Sequence, residues 1–110
     1  MGAAPAVAAG AMALLLCLPP SPAAAWDAGV ERGRTLARTQ CARCHAVGRV
    51  GASPLRQAPP FRTLHERYPV EDLAEALAEG IRTGHPSMPE FRFAPDQAEA
   101  LIAYLKTLER

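Results

Sequence analysis

Three side chains that can bind a haem lie within five positions of the chain. Cys41 and Cys44 are three residues apart, and His45 follows the second cysteine directly. On one helical turn, two thiols at this spacing can each form a thioether with a vinyl group, and the next imidazole then lies under the iron. C-x-x-C-H is the attachment pattern of c-type haem, and it makes His45 the proximal ligand.

Other uses of a C-x-x-C pair fit this chain less well. A dithiol redox pair is expected beside a βαβ pattern, and no strand pattern flanks Cys41. A zinc site would need a second cysteine pair to complete four ligands, and none exists. A structural disulfide between Cys41 and Cys44 is the remaining alternative. The sequence therefore predicts one covalently attached haem c with its iron.

The first 25 residues differ in composition from the rest of the chain. They contain no charged side chain, and they include an apolar run of 13 residues, too short to span a bilayer. Ala23 and Ala25 are the small residues that signal peptidase needs, so we expect cleavage before Trp26. The sequence thus predicts a signal peptide over residues 1–25, a single haem-binding domain over residues 26–110 and a periplasmic location.

The sixth ligand of the iron is expected in a loop near the C-terminal end. Met88 is the only methionine after residue 25, and two prolines and a glycine around it exclude a regular helix. A stiff loop can direct the thioether at the iron, so we predict that Met88 binds it. The alternatives are a core role for Met88 and ligation by His85 or His65.

With these residues in this order, residues 27–110 resemble a small bacterial class I cytochrome c. The similar features are a helix with Gly33, the Cys41–His45 motif, a proline-containing loop, the Met88 loop and a final helix. The resemblance implies an all-α fold of about four short helices wrapped around one covalently attached haem.

The resemblance also assigns a packing role to one glycine. In that family, a glycine eight residues before the first haem cysteine lets the first helix cross closely over the last, and Gly33 has this spacing. A leucine and an aromatic residue of the last helix meet it, and these correspond to Leu101 and Tyr104. Many members have an aromatic residue where this chain has Ala37, so the crossing is expected to be less well packed.

Two further features follow from the same resemblance. A proline after the haem motif usually backs the proximal histidine, and both Pro59 and Pro60 are candidates for that role. The lysine ring with which mitochondrial members dock is absent, because Lys106 is the only lysine. The partners of those proteins therefore do not transfer to this chain.

Periodicity and capping residues predict where the helices lie. Asp27 is expected to cap a first helix that runs to about Gln40. Residues 60–67 predict a short helix, and residues 70–79 predict another that ends at Gly80. The apolar face of the first helix comprises Val30, Gly33, Leu36, Ala37 and Cys41.

The last helix is expected to begin at Pro95, with Ala94 as a poor N-cap. Phe91 and Phe93 flank the methionine loop and are expected to wall the haem. The core stripe of the last helix comprises Ala98, Leu101, Ile102, Leu105 and Leu108.

Composition and ligation together indicate the function. The charges nearly cancel, with 12 Lys and Arg against 11 Asp and Glu, which argues against a nucleic-acid binder. An iron with both axial positions filled has no open site for a substrate. The sequence therefore predicts single-electron transfer and no enzymatic activity, with redox proteins as donors and acceptors.

The chain is expected to act as a monomer or in transient complexes, with no membrane span after cleavage. The alternatives are a dedicated haem subunit of a periplasmic oxidoreductase and a haem-based ligand sensor.

Overall fold

The structure is a computed structural model that describes residues 1–80 and 87–110. Within these ranges the chain contains helices and no strand, which confirms the all-α prediction. None of the described helices is long and apolar enough to cross a membrane. The α-helices are α1 (Pro22–Leu36), α2 (Leu73–Glu79) and α3 (Pro95–Lys106), a π-helical turn (Ala37–Cys41) continues α1, and the 3-10 helices are Phe61–Glu66 and Val70–Asp72.

Helix α1 begins six residues earlier than the sequence predicts. Ser21, not Asp27, is the N-cap, and its hydroxyl accepts a hydrogen bond from the amide of Ala24 at 3.2 Å. Pro22 occupies the first turn, where its fixed φ suits a helix and its missing N–H costs nothing. The three alanines after Pro22 are strong helix formers, so they extend the helix towards the N-terminus.

The end of this helix also differs from the prediction of a regular helix to Gln40. The α-helical pattern stops at Leu36, and the next turn is wound as a π-helix that reaches Cys41. The amide of Ala42 bonds to the carbonyl of Ala37 at 3.0 Å, five residues back. Wider π-helical turns of this kind are frequent at functional sites, and this one ends at the first cysteine of the motif.

Helix α3 is the centre of the core. All five residues of its predicted core stripe are at most 8% exposed, and Ala100, Ala103 and Tyr104 are buried as well. A helix buried on this much of its circumference must be covered from several sides. Helices α1 and α2 and the 3-10 helix Val70–Asp72 all pack against it. Lys106 near its C-terminal end forms an ion pair with Glu71 of that 3-10 helix.

The N-cap of α3 is Ala94, as predicted, and a side chain of the first turn bonds to its amide. The side-chain oxygen of Gln97 accepts a hydrogen bond from the Ala94 amide at 3.0 Å. This is one half of a capping box, because alanine has no side chain to return the second bond.

The shorter helices agree with the sequence in place but differ in type. The helix predicted over residues 60–67 is a 3-10 helix over Phe61–Glu66, and Phe61 and Leu64 are its buried residues. The helix predicted over residues 70–79 begins as a 3-10 turn and becomes α-helical at Leu73. It ends at Gly80, whose φ of 78° is in the left-handed region that glycine adopts without strain.

Helix α1 crosses α3 at Gly33 with almost no space between the backbones. A Cβ atom at Gly33 would lie 2.0 Å from the carbonyl oxygen of Ala100 and 2.7 Å from the Cβ of Tyr104. The glycine role is therefore as predicted, but the residues nearest to it are Ala100 and Tyr104, while Leu101 is buried in the core beside them. On a helix, Ala100 and Tyr104 are four residues apart and share one face.

Ala37 is fully buried, although its side chain is small. Ala37 is 0% exposed and belongs to the same hydrophobic cluster as Tyr104 and Leu105. Burial does not compare this crossing with that of members that have an aromatic residue here, so the expectation of a less well packed crossing stays a prediction.

We expect Gly33→Ala to destabilise the haem-loaded protein by about 2–3 kcal/mol, because overpacking a close backbone contact forces the helices apart. Gly29→Ala is the matched control, since a Cβ there meets nothing within 4 Å. This control should be neutral or more stable by about 0.5–1 kcal/mol, because alanine favours the helix. Denaturant unfolding followed by circular dichroism measures both, and equal stabilities of the two variants would contradict the tight crossing.

Candidate haem-binding site

The three residues of the motif lie together in one turn at the end of the π-helical segment. Cys41 is the last residue of that segment, and its carbonyl accepts hydrogen bonds from the amides of Cys44 at 3.2 Å and His45 at 3.0 Å. These bonds hold both cysteines and the histidine in a compact turn. All three residues are half-buried at the edge of the core.

The ring of His45 is oriented by a single hydrogen bond to a distant part of the chain. Its Nδ1 lies 2.8 Å from the carbonyl oxygen of Pro59, which resolves the choice between Pro59 and Pro60. A carbonyl can only accept, so Nδ1 must carry the proton, and the neutral ring keeps its lone pair on Nε2. Proteins prepare histidines for metal ligation in this way, because the second nitrogen is fixed in tautomer and direction.

An aromatic ring supports the histidine from one side. The rings of Phe61 and His45 are tilted to each other by 44° with centroids 5.0 Å apart. Phe61 is 7% exposed, and its amide donates to the carbonyl of Ala46 at 2.9 Å. The 3-10 helix that begins at Phe61 is thereby joined directly to the segment after the motif.

The loop between the motif and Pro59 is held by hydrogen bonds within itself. The amide of Leu55 donates to the carbonyl of Cys44 at 3.0 Å, and the amide of Ala46 donates to the hydroxyl of Ser53 at 3.0 Å. The loop therefore folds back on the haem-binding turn, which brings Pro59 to His45.

Helix α3 holds the same loop from outside. The hydroxyl of Tyr104 donates to the carbonyl of Val47 at 2.5 Å, and the guanidinium of Arg49 donates to the carbonyl of Thr107 at 2.9 Å. The residues of each pair are more than 50 positions apart in the chain. Tyr104 thus contributes to two contacts, the crossing at Gly33 and the support of the haem-binding loop.

The two thiols of the motif are free in this structure. Burial raises the pKa of the Cys41 thiol to about 11. A dithiol redox site needs a thiolate near neutral pH, and such sites lower the cysteine pKa with positive groups or a helix N-terminus. The environment of Cys41 has the opposite effect, so it does not favour that chemistry.

The donor set and its surroundings fit a c-type haem. Two free thiols and a histidine with an available Nε2 lie in one turn, and an apolar cluster lies beside them. Within residues 1–80 and 87–110, no three His, Cys, Asp or Glu side chains form a group that could bind a metal ion by themselves. The residues that would hold the haem are Cys41, Cys44 and His45.

Met88 lies in an irregular stretch before α3 and is half-buried. This stretch is joined to α2, because the amide of Phe93 donates to the carbonyl of Leu77 at 2.9 Å. The side chains of Glu90 and Arg92 lie against Gly80 at the end of α2. Ligation by Met88 stays a prediction.

The two phenylalanines after Met88 form a pair. The rings of Phe91 and Phe93 are nearly parallel, at 11°, with centroids 5.5 Å apart, and Phe93 packs against the core. Their predicted role as a wall of the haem site stays a prediction.

The rival ligands differ in what the structure says of them. His85 lies outside the described residues. His65 lies on the 3-10 helix Phe61–Glu66, and its Nδ1 is buried with no hydrogen-bond partner in the described part of the chain. Ligation by His65 is a weaker alternative than ligation by His85, and no contact in the described part of the chain favours it.

Comparison with protein families bears directly on this site. The family model described as cytochrome c oxidase, cbb3-type, subunit III matches residues 28–105. The chain belongs to this family. It is therefore a c-type cytochrome, its cofactor is haem c, and its function is electron transfer. No curated protein and no solved structure matched the chain.

Several residues that support the site in this cytochrome could not be found from the sequence. The side chains of Ser53, Tyr104 and Arg49 each form a hydrogen bond with the backbone of a different residue. No sequence pattern indicates which residue that is. Serine and arginine in loops have no motif that predicts such bonds. For Tyr104, the sequence indicated only its contact with Gly33 at the helix crossing, not its hydrogen bond to the loop.

We expect Tyr104→Phe to destabilise the haem-loaded protein by about 1–2 kcal/mol, because the carbonyl of Val47 loses its donor. The ring remains, so the crossing at Gly33 should be unaffected. Tyr68→Phe is the control, since Tyr68 is 37% exposed. Thermal unfolding of both variants measures the difference, and two identical midpoints would show that the loop does not depend on this bond.

Proposed function

We propose that this cytochrome carries single electrons in the periplasm with one haem c, bound covalently through Cys41 and Cys44 and ligated by His45 and Met88. The observation that carries the proposal is the 2.8 Å hydrogen bond from His45 Nδ1 to the carbonyl of Pro59. This bond leaves Nε2 as the free nitrogen of a ring that is already oriented. An optical spectrum of the purified protein in both redox states tests haem type and ligation together.

Each residue of the site has a distinct task in electron transfer. The bound haem supplies a one-electron iron couple. Pro59 and Phe61 hold the His45 ring in place, so the ligand need not reorient when the charge of the iron changes. The thioether of Met88 is a soft ligand that favours the ferrous state, which raises the reduction potential. The apolar cluster that contains Phe61 and Leu64 would keep water away from His45.

Covalent attachment requires both thiols, so Cys44→Ser should sharply reduce the yield of haem-loaded protein. Cys17→Ser is the control, because Cys17 is exposed and lies in the predicted signal peptide. Haem that stays with the polypeptide after acid acetone extraction indicates a covalent bond. Haem that extracts completely from the wild-type protein would contradict the attachment through Cys41 and Cys44.

Loss of the proposed sixth ligand should change both the reduction potential of the iron and its ability to bind an external ligand. Met88→Ala should lower the reduction potential and allow carbon monoxide to bind the ferrous form, because one axial position becomes open. His85→Ala should leave potential and spectrum unchanged at neutral pH. Redox titration and carbon monoxide difference spectra measure this. If His85→Ala loses the ligand and Met88→Ala does not, the protein is a bis-histidine cytochrome of lower potential.

The periplasmic location depends on the predicted signal peptide over residues 1–25. All residues up to Ala28 are exposed, and Val30 is the first buried residue of the chain. Removing residues 1–25 therefore takes nothing from the core. The bond between Ala25 and Trp26 lies within α1 in the full chain, so cleavage must precede formation of that helix, because proteases prefer unstructured segments.

The mature protein should therefore begin at Trp26. Mass spectrometry of the protein purified from the periplasm should give the mass of residues 26–110 plus one haem. An Ala25→Asp variant should accumulate with residues 1–25 attached, because an acidic side chain replaces the required small residue. A mature wild-type protein that retains residues 1–25 would show that the segment is not a cleaved signal.

A second candidate function is favoured by the family match itself. The description of the matching family names a subunit of an oxidase, so this chain could serve as a dedicated haem subunit of an oxidoreductase complex. The haem site would perform the same electron transfer in either case. Size-exclusion chromatography of the native protein distinguishes the two, since a free carrier elutes at the size of one chain.

A further inference from the structure

Charge is distributed unevenly along this nearly neutral chain. Residues 32–65 contain seven arginines and no Asp or Glu, whereas residues 66–110 contain nine acidic side chains and five basic ones. The haem-binding motif lies within the arginine-rich part. The small net charge of the whole protein therefore results from two parts of opposite sign.

Only some of these arginines are neutralised by the fold. Arg32 forms an ion pair with Asp96, and Arg34 forms one with Glu31. Four others are exposed and have no carboxylate within ion-pairing distance in the described part of the chain. We call these four the arginine face: Arg38, Arg43, Arg49 and Arg56.

Backbone geometry gathers the arginine face around the haem-binding turn. Arg38 lies in the π-helical turn that leads to the motif, and Arg43 lies between its two cysteines. The amide of Leu55 donates to the carbonyl of Cys44 at 3.0 Å, so Arg56, the next residue, lies beside the same turn. The backbones of three arginines thus lie in or directly beside the turn that carries the motif.

The fourth arginine, Arg49, is followed by an exposed apolar residue. Arg49 lies in the loop after the motif and is tethered by its bond to the carbonyl of Thr107. Val50, which follows it, is 84% exposed. An exposed aliphatic side chain among guanidinium groups is a suitable composition for an interface, because arginine is enriched there and apolar contact excludes water.

We propose that the arginine face is the docking surface for an acidic face of a redox protein, and that electrons pass to and from the haem through it. The inference rests on the proposed function, since it requires haem at Cys41 and Cys44. Thioethers there would attach one edge of the haem to the segment that carries the arginines. Charge complementarity at this edge would steer a partner to the shortest path for the electron.

A protein partner fits this surface better than an anionic membrane does. A lipid surface on the arginine face would cover the haem edge with groups that neither give nor accept electrons. Weak and transient contacts, as electron transfer requires, are typical of small interfaces between redox proteins.

Oxidation of the ferrous protein by hexacyanoferrate(III) probes the face with an anion. One electron passes from the haem iron to the complex, which gives ferric haem and hexacyanoferrate(II). At an ionic strength of about 10 mM, Arg38→Gln/Arg56→Gln should react about three- to tenfold more slowly than the wild type. The difference should vanish in about 0.5 M salt, because exposed charges are then screened.

The matched control is Arg67→Gln/Arg110→Gln, which removes the same charge from exposed positions outside the arginine face. It should react within twofold of the wild type. Tris(phenanthroline)cobalt(III), a cationic oxidant, should react faster with the first variant than with the wild type. Poly-L-glutamate, an acidic polypeptide, should slow hexacyanoferrate oxidation of the wild type and of the control and not of the first variant.

The results separate this proposal from the proposed function. A protein without covalent haem would overturn both. Equal rates for the two double variants, each with an intact haem spectrum, would overturn the arginine face alone. Binding of the wild type to phosphatidylglycerol vesicles in about 0.15 M salt, with loss of hexacyanoferrate oxidation, would replace the protein partner by a membrane surface.

Discussion

The close crossing of α1 and α3 at Gly33 is the constraint on which the rest of the structure depends. Helix α1 carries the haem motif at its C-terminal end, and α3 carries the residues that hold the loop after it. Because a Cβ atom at Gly33 would lie 2.0 Å from the carbonyl oxygen of Ala100, only a glycine lets the two helix backbones approach this closely. This fixes the distance between the motif and Tyr104, so that the tyrosine hydroxyl reaches the carbonyl of Val47.

The orientation of His45, which prepares its ring to act as a ligand, follows from that arrangement. The loop supported by Tyr104 returns through Leu55 to the haem-binding turn and presents the carbonyl of Pro59 to the imidazole. A proline is suitable at this position because its own φ is fixed and it has no amide that could compete for the histidine. The chain thus defines the tautomer of the ring with a backbone atom. No carboxylate is needed, and the site gains no further negative charge.

The order and positions of the helices could largely be predicted from the sequence, but the types of the shorter helices and both ends of α1 could not. The buried stripe of α3 and the stop at Gly80 are as predicted, because apolar periodicity and a left-handed glycine are local signals. The predicted start of α1 at Asp27 was wrong, because Ser21 caps the helix and the alanines after Pro22 extend it. The π-helical turn before Cys41 has no sequence signature, since it results from how the end of α1 meets the core.

The sequence by itself determined the cofactor chemistry of this cytochrome, because two cysteines and a histidine in C-x-x-C-H need only one turn of chain to act together. The resemblance to class I cytochromes c, which includes the spacing of Gly33 to Cys41, implied that Gly33 would meet the last helix. Tertiary structure decided between Pro59 and Pro60, and it brought Ala100, Tyr104 and Arg49 to their partners. Those contacts join residues far apart in the chain, and the packing of α1 on α3 sets their geometry.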